Sequence, residues 1–162
     1  MCSPLVVFVA DPYRTESSCA VLGYLQQSER RRSGRRVQFV FDPTSASPPG
    51  LLGGADGAVL VLLEGQRAAA EKLLRFWETL NRDKDWPIPV LPVLIRDGRH
   101  RENGWQVSSL VTVAESDILV EHGGYASLSE SAETNIEQAL NTVLHSAGAR
   151  LYPTNARCCP FA

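Results

Sequence analysis

Between the apolar run Leu5 to Ala10 and a helix-forming stretch near Ser17 lies Ala10-Asp11-Pro12-Tyr13-Arg14-Thr15-Glu16-Ser17, which has the length and placement of a phosphate-binding loop. Such a loop is written G-x-x-x-x-G-K-[ST] between a strand and a helix. Its glycines let backbone N–H groups close around the phosphates, its lysine reaches their outer oxygens, and its hydroxyl holds magnesium. Here Ala10 and Thr15 stand at the glycine positions and Glu16 at the lysine position, with only Ser17 retained. A carboxylate aimed at phosphates repels them, so the frame is present without its chemistry. The chain contains only two lysines, Lys72 and Lys84, both far from this loop. Its fourteen arginines are poor substitutes, because a guanidinium is broad and planar where the loop needs a compact point charge.

Other reactive residues form no convergent set. Asp11, Glu16 and Asp42 could gather as a magnesium-binding acidic cluster of the phosphoacceptor kind, but that chemistry also wants a lysine at the end of a later strand, and Ile95 to Gly98 supplies none. Asp11 is read instead as fixing its loop through backbone hydrogen bonds. His100, His122 and His145 are far apart in sequence and share no metal-ligand spacing. Cys2, Cys19, Cys158 and Cys159 form no C-x-x-C pair, so neither a zinc site nor a disulfide framework is expected, and reduced thiols in a cytoplasmic setting are the plain reading. Cys19 lies in a first helical turn, where the helix dipole favours a thiolate, yet no histidine is near, and it is read as a small buried apolar residue. The end of the chain, Cys159-Pro160-Phe161-Ala162, formally fits a C-a-a-X prenylation pattern. Proline is a poor aliphatic and no lysine-rich tract precedes it, so Tyr152 to Ala162 is read as a tail.

The elements that would position these residues alternate. Leu5 to Ala10 and Ala58 to Leu63 are continuous apolar runs, as buried parallel strands are. Ser17 or Ser18 could cap a first helix carrying Ala20, Val21, Tyr24 and Leu25 at helical spacing. Val37, Phe39 and Phe41 alternate with Gln38 and Val40 as in a strand, and Pro43 to Gly54 reads as a loop. Ala70, Leu73, Leu74, Trp77 and Leu80 mark the inward stripe of a middle helix. Prolines at 87, 89 and 92 restrict the following strand to Val93 to Ile95. Trp105 to Glu115 is expected to form a partly helical crossover, although the alternation of Val111 and Val113 also suits a strand. A last short strand falls near Tyr125 to Leu128, before a helix with Ile136, Ala139, Leu140, Val143 and Leu144 inward and Gly148 placed to end it. Strand–helix alternation predicts an α/β, three-layer fold with a mostly parallel sheet and helices on both faces.

A length of 162 residues suits one domain, over residues 1–150 with a tail at 151–162. The net charge of -2 argues against a general nucleic-acid or membrane-surface binder, and no apolar run approaches the roughly 20 residues of a membrane span. The arginine-rich turn Arg30, Arg31, Arg32, Arg35 and Arg36 around Gly34 could bind anions, but reads first as a solvated loop.

In the order of its strands and helices the chain resembles small GTPases of the Ras and Rho kind, a P-loop NTPase-like fold, with the nucleotide motifs degenerate. The guanine-reading N-K-x-D stretch falls on Leu94-Ile95-Arg96-Asp97, where only the aspartate survives. The Ser-Ala-Lys loop falls on Ser129-Glu130-Ser131, and Glu133 to Leu140 looks like the family's closing helix. Asp42-Pro43-Thr44-Ser45 takes the D-x-x-G position without its glycine, and Gln27 to Arg36 is too short for a switch loop plus an edge strand. The pattern is similar to the pseudoGTPase domains embedded in certain large Rho GTPase-activating proteins. That resemblance implies a non-enzymatic module with no catalytic, cofactor-binding or metal-binding residues, no nucleotide, and a protein partner. Candidate partner surfaces are the Arg30 to Arg36 turn and the helix face with Arg67, Glu71 and Arg75. The alternatives are an atypical nucleotide binder using Arg14 or Arg96, and another doubly wound domain of the flavodoxin or receiver kind.

Overall fold

The computed structural model describes residues 5–10, 15–31, 37–42, 55–82, 87–96, 110–120 and 126–151. In chain order these form β1 (Leu5–Ala10), α1 (Glu16–Arg31), β2 (Val37–Asp42), β3 (Gly57–Leu63), α2 (Arg67–Arg82), β4 (Val90–Ile95), β5 (Val111–Val113), β6 (Ile118–Val120), β7 (Ala126–Leu128) and α3 (Glu130–Leu151). Five strands make one sheet in the order β2-β1-β3-β4-β5, and every neighbouring pair in it is parallel. β6 and β7 pair with each other, antiparallel, in a separate two-stranded sheet.

The period of two along each strand sorts the core into two layers. Leu5, Val7, Val9, Val37, Phe39, Val59, Val61, Leu91, Val93, Ile95 and Val113 face α1 and α3, where they meet Val21, Leu25, Ile136, Leu140 and Leu144. Phe8, Ala10, Ala58, Leu60, Leu62 and Leu94 face α2 and meet Ala70, Leu73 and Trp77. β3 is buried on both faces, which is why its sequence is apolar without a break. Gly57 opens β3 where α3 comes close: a Cβ there would lie 3.1 Å from Val143 Cγ1.

Side chains fasten the strand ends. Asp56 Oδ2 accepts the Val6 N–H at 2.9 Å while the Asp56 N–H donates to the Val6 carbonyl at 2.7 Å, which seats β3 beside β1. The Asn81 amide, in the last turn of α2, reads Ile88 as a neighbouring strand would. It donates to the Ile88 carbonyl at 3.0 Å and accepts the Ile88 N–H at 3.1 Å, which fixes the approach to β4.

Three expectations are corrected. β4 begins at Val90, not Val93, and includes Pro92 beside Leu60. Ala58 bonds Pro89 on the β3 side and Arg96 bonds Val113 on the β5 side, so the missing N–H of Pro92 points toward β5, whose pairing starts only at Val93. The segment expected as a helical crossover contains strand β5 at Val111–Val113, while its Trp105 to Ser109 part lies outside the described residues. The short strand expected near Tyr125 to Leu128 is present as β7, and it pairs antiparallel with β6 outside the parallel sheet. α3 runs past Gly148 to Leu151, because Ala147 and Gly148 are buried on the face it turns to the core. The side chain of Leu80, expected in the α2 stripe, lies outside the described residues. Among the described residues no helix is long and apolar enough to cross a membrane.

α1 and α3 are joined by a polar contact set in this apolar layer. Tyr24, only 5% exposed, donates its hydroxyl to Glu137 Oε2 at 2.5 Å, and the Arg31 guanidinium lies 5.5 Å from the centre of its ring. Burial, reinforced by the Glu137 carboxylate, pushes the phenol up to about 12 from its usual 10.0. A raised folded value means the phenol's proton is held more tightly in the folded state. Its contribution is therefore complete below the unfolded value near 10 and is lost as pH rises toward 12. Unfolding in urea between pH 9 and 12 should show a loss of roughly 2 kcal/mol from this group, and Tyr24→Phe should flatten that part of the profile. An unchanged slope in Tyr24→Phe would remove the phenol from the account.

Candidate functional site

In an open parallel sheet the place for chemistry is the crevice beyond the carboxyl ends of the strands where the chain reverses its direction of winding. β1 is followed in space by β2 on one side and by β3 on the other, so that crevice lies beyond Ala10 and Leu63. The groups around it come from the start of α1, the turn after β3, the end of β4, and the segment joining β5 to α3.

The start of α1 is closed by its own side chains. Thr15 stands just before the helix and accepts the Ser18 N–H on its Oγ1 at 3.1 Å. Ser18, wholly buried, accepts the Thr15 N–H on its Oγ at 2.8 Å and donates its hydroxyl to the Thr15 carbonyl at 2.9 Å. This is a reciprocal cap with serine in the place of the usual glutamate. Thr15, not Ser17 or Ser18, is thus the capping residue. Glu16 projects into solvent from the first turn, where the helix dipole favours a carboxylate.

After β3 a single 3₁₀ turn, Glu64–Gln66, leads directly into α2. Glu64 is 3% exposed, and Arg96, just past β4, reaches it with Nη2 at 3.5 Å from Oε1, a long contact. Arg96 is itself half-exposed, and its N–H donates to the Val113 carbonyl at 2.8 Å. Beyond β5, Asp117 Oδ2 accepts the Ala114 N–H at 3.0 Å and Oδ1 accepts the Ser129 hydroxyl at 2.8 Å. Ser129 Oγ in turn accepts the Ala132 N–H at 3.2 Å, capping α3. The side chains of Thr15, Ser18, Asp117 and Ser129 are thus engaged in holding elements in place.

Of the residues singled out in the sequence, Asp11, Arg14, Asp97, His100, His122, Lys84, Cys2, Cys158, Cys159 and the span 32–36 lie outside the described residues, as does the side chain of Asp42. Ser17 is half-buried in the first turn of α1. Cys19, expected to be buried, is exposed, because it falls on the outer face of α1 between the buried Ser18 and Ala20. His145 is exposed on α3. Among the described residues no group of three or more His, Cys, Asp or Glu side chains is placed to hold a metal ion.

Arg30 and Arg31 end α1 as exposed cations. On α2, Arg67 Nε bonds Glu71 at 2.9 Å and Arg75 approaches the same carboxylate at 3.8 Å, so that candidate surface is partly neutralised by its own pairing. Glu64, Asp117, and the Tyr24–Glu137 contact went unnoticed in the sequence. For Glu64 the signal was there: a lone carboxylate directly follows the apolar run of β3, with only Gly65 and Gln66 before the next helix.

No protein-family model matches the chain, and no curated protein matches it.

Proposed function

We propose that the domain is a non-catalytic, nucleotide-free pseudoGTPase-like module that acts by binding a protein partner, within a Rho GTPase-regulating signalling protein. The observation that carries this reading is the start of α1. Where a phosphate-binding loop offers free amides and a lysine, this chain takes up the Ser18 N–H with Thr15 and sets the carboxylate of Glu16 in the first turn. Negative charge is repelled there and a donor is already used. The wholly parallel sheet, with β2 joined to α1 through residues 32–36 alone, fits a fold without a switch loop and its edge strand. The partner surface rests on the arginines from Arg30 to Arg36, of which Arg30 and Arg31 are exposed at the end of α1.

The strand order favours one second reading. The order β2-β1-β3-β4-β5 is also that of flavodoxin-like and receiver-like doubly wound domains. Acid release of small molecules from the protein as isolated, followed by ion-exchange chromatography, separates the readings. No nucleotide and no flavin should appear. Guanine nucleotide near one equivalent would overturn the proposal, and a stoichiometric flavin would favour the second reading.

A further inference from the structure

β2 is an outer strand of the sheet, and the hydrogen-bond pattern shows which of its groups face away from it. In a ladder, alternate residues of a strand address opposite neighbours. Val6 exchanges bonds with Asp56, just ahead of β3, so the even-numbered residues of β1 turn toward β3 and Leu5, Val7 and Val9 turn toward β2. With Val7 in register with Phe39, the ladder on β2 is carried by Gln38, Val40 and Asp42. The N–H and C=O groups of Val37, Phe39 and Phe41 therefore point outward. Among the described residues one side chain answers this edge: Glu29 of α1 accepts the Phe39 N–H on Oε2 at 3.0 Å.

The outward residues are symmetric about Phe39. A second β2 laid antiparallel with Phe39 on the two-fold axis sets Phe39 against Phe39 and Val37 against the second copy's Phe41, and each such pair exchanges two backbone bonds. Val-Gln-Phe-Val-Phe is rich in the β-branched and aromatic residues that stabilise cross-strand pairs. Glu29 reaches from α1 to the N–H of Phe39, the residue on that axis. Its carboxylate occupies the central amide, and pairing would bring two such carboxylates together, in the manner by which proteins guard their sheet edges with inward-pointing charge.

We infer that the outer edge of β2 is a self-association edge for a second copy of this chain, antiparallel about Phe39, and that Glu29 is the latch that holds it closed. Sedimentation equilibrium of the full chain tests this. Glu29→Ala should self-associate as a dimer at least tenfold more tightly than the unaltered protein. Adding Phe41→Pro, which deletes an outward N–H without touching the ladder to β1, should return the constant to its starting value.

A folded Glu29→Ala with no tighter association would overturn the inference and leave the edge to a strand of another protein. Dimerisation that survives Phe41→Pro would overturn it equally. Should Glu29→Ala fail to fold, Glu29→Gln keeps the side chain's shape and an acceptor oxygen while removing the repulsion. Its Val37, Phe39 and Phe41 amides should exchange more slowly as protein concentration rises, with no such change at Gln38 or Val40. Exchange independent of concentration at all five would count against the inference.

Discussion

Trp77→Ala is expected to destabilise the protein by about 3–5 kcal/mol, the largest loss from any single replacement considered. Trp77 is 3% exposed at the centre of the layer between α2 and the sheet, with its ring 6.1 Å from that of Phe8 on β1 and 6.3 Å from that of Phe76. Its indole fills space that no neighbour is free to take up. The sheet beneath is a rigid ladder, and Leu73 and Ile88 are themselves buried. Phe76, 40% exposed one position further round the helix, should lose much less when truncated. Guanidinium unfolding followed by circular dichroism compares the two, and similar losses at both positions would contradict the placement of α2.

The second large effect is at Asp117. Asp117→Ala should cost about 2–3 kcal/mol, because two hydrogen bonds to a charged acceptor disappear together and the Ser129 hydroxyl that caps α3 loses its orienting partner. The residue is half-buried, so water recovers part of the loss and the lower end of the range is expected. The backbone bond from the Ser129 N–H to the Asp117 carbonyl, 2.7 Å, remains in either variant. Asp117→Asn keeps one acceptor and should lose roughly half as much. A shift in urea midpoint with an unchanged slope is the expected signature. A loss below about 0.5 kcal/mol in Asp117→Ala would show that Ala114 and Ser129 are held by other means.

The parts of the fold that could be read from the sequence are those whose burial is uniform over a whole element. β1 and β3 are buried on both faces and so appear as apolar runs, and α2 and α3 carry long stripes at helical spacing. β7 was legible as a short strand near Tyr125 to Leu128, but β5 was ambiguous with a helix, and β6 and the β6–β7 pairing could not be read in the same way. β5 and β6 are each three residues long, which gives an alternating pattern too few repeats to stand out, and the pairing of β6 with β7 comes from contact across the intervening chain. Pro92 misled because its effect depends on which neighbour its missing N–H would face, a fact of register and not of composition. Gly148 misled because a glycine can end a helix or let it lie close to a core, and here it does the second.

The candidate site was legible in part. The carboxylate of Glu16 at the strand-to-helix junction is visible in the sequence, and its exposure in the first turn of α1 agrees with that position. The cap by Thr15 was assigned to its neighbours, since Thr15, Ser17 and Ser18 all carry a suitable hydroxyl and only the start of the helix selects among them. The burial of Glu64 and its contact with Arg96 depend on how β3 and β4 end side by side, 32 positions apart in sequence.

The claim on which the functional reading turns is that this site does not take nucleotide. Titration calorimetry of the purified protein with GTP and with GDP in magnesium buffer tests it most directly. The expected result is no heat of binding with either nucleotide up to about 1 mM, corresponding to a binding free energy weaker than about -4 kcal/mol. Micromolar or tighter binding of either would contradict the account and would mean that an arginine such as Arg96 has taken over the work of the missing lysine.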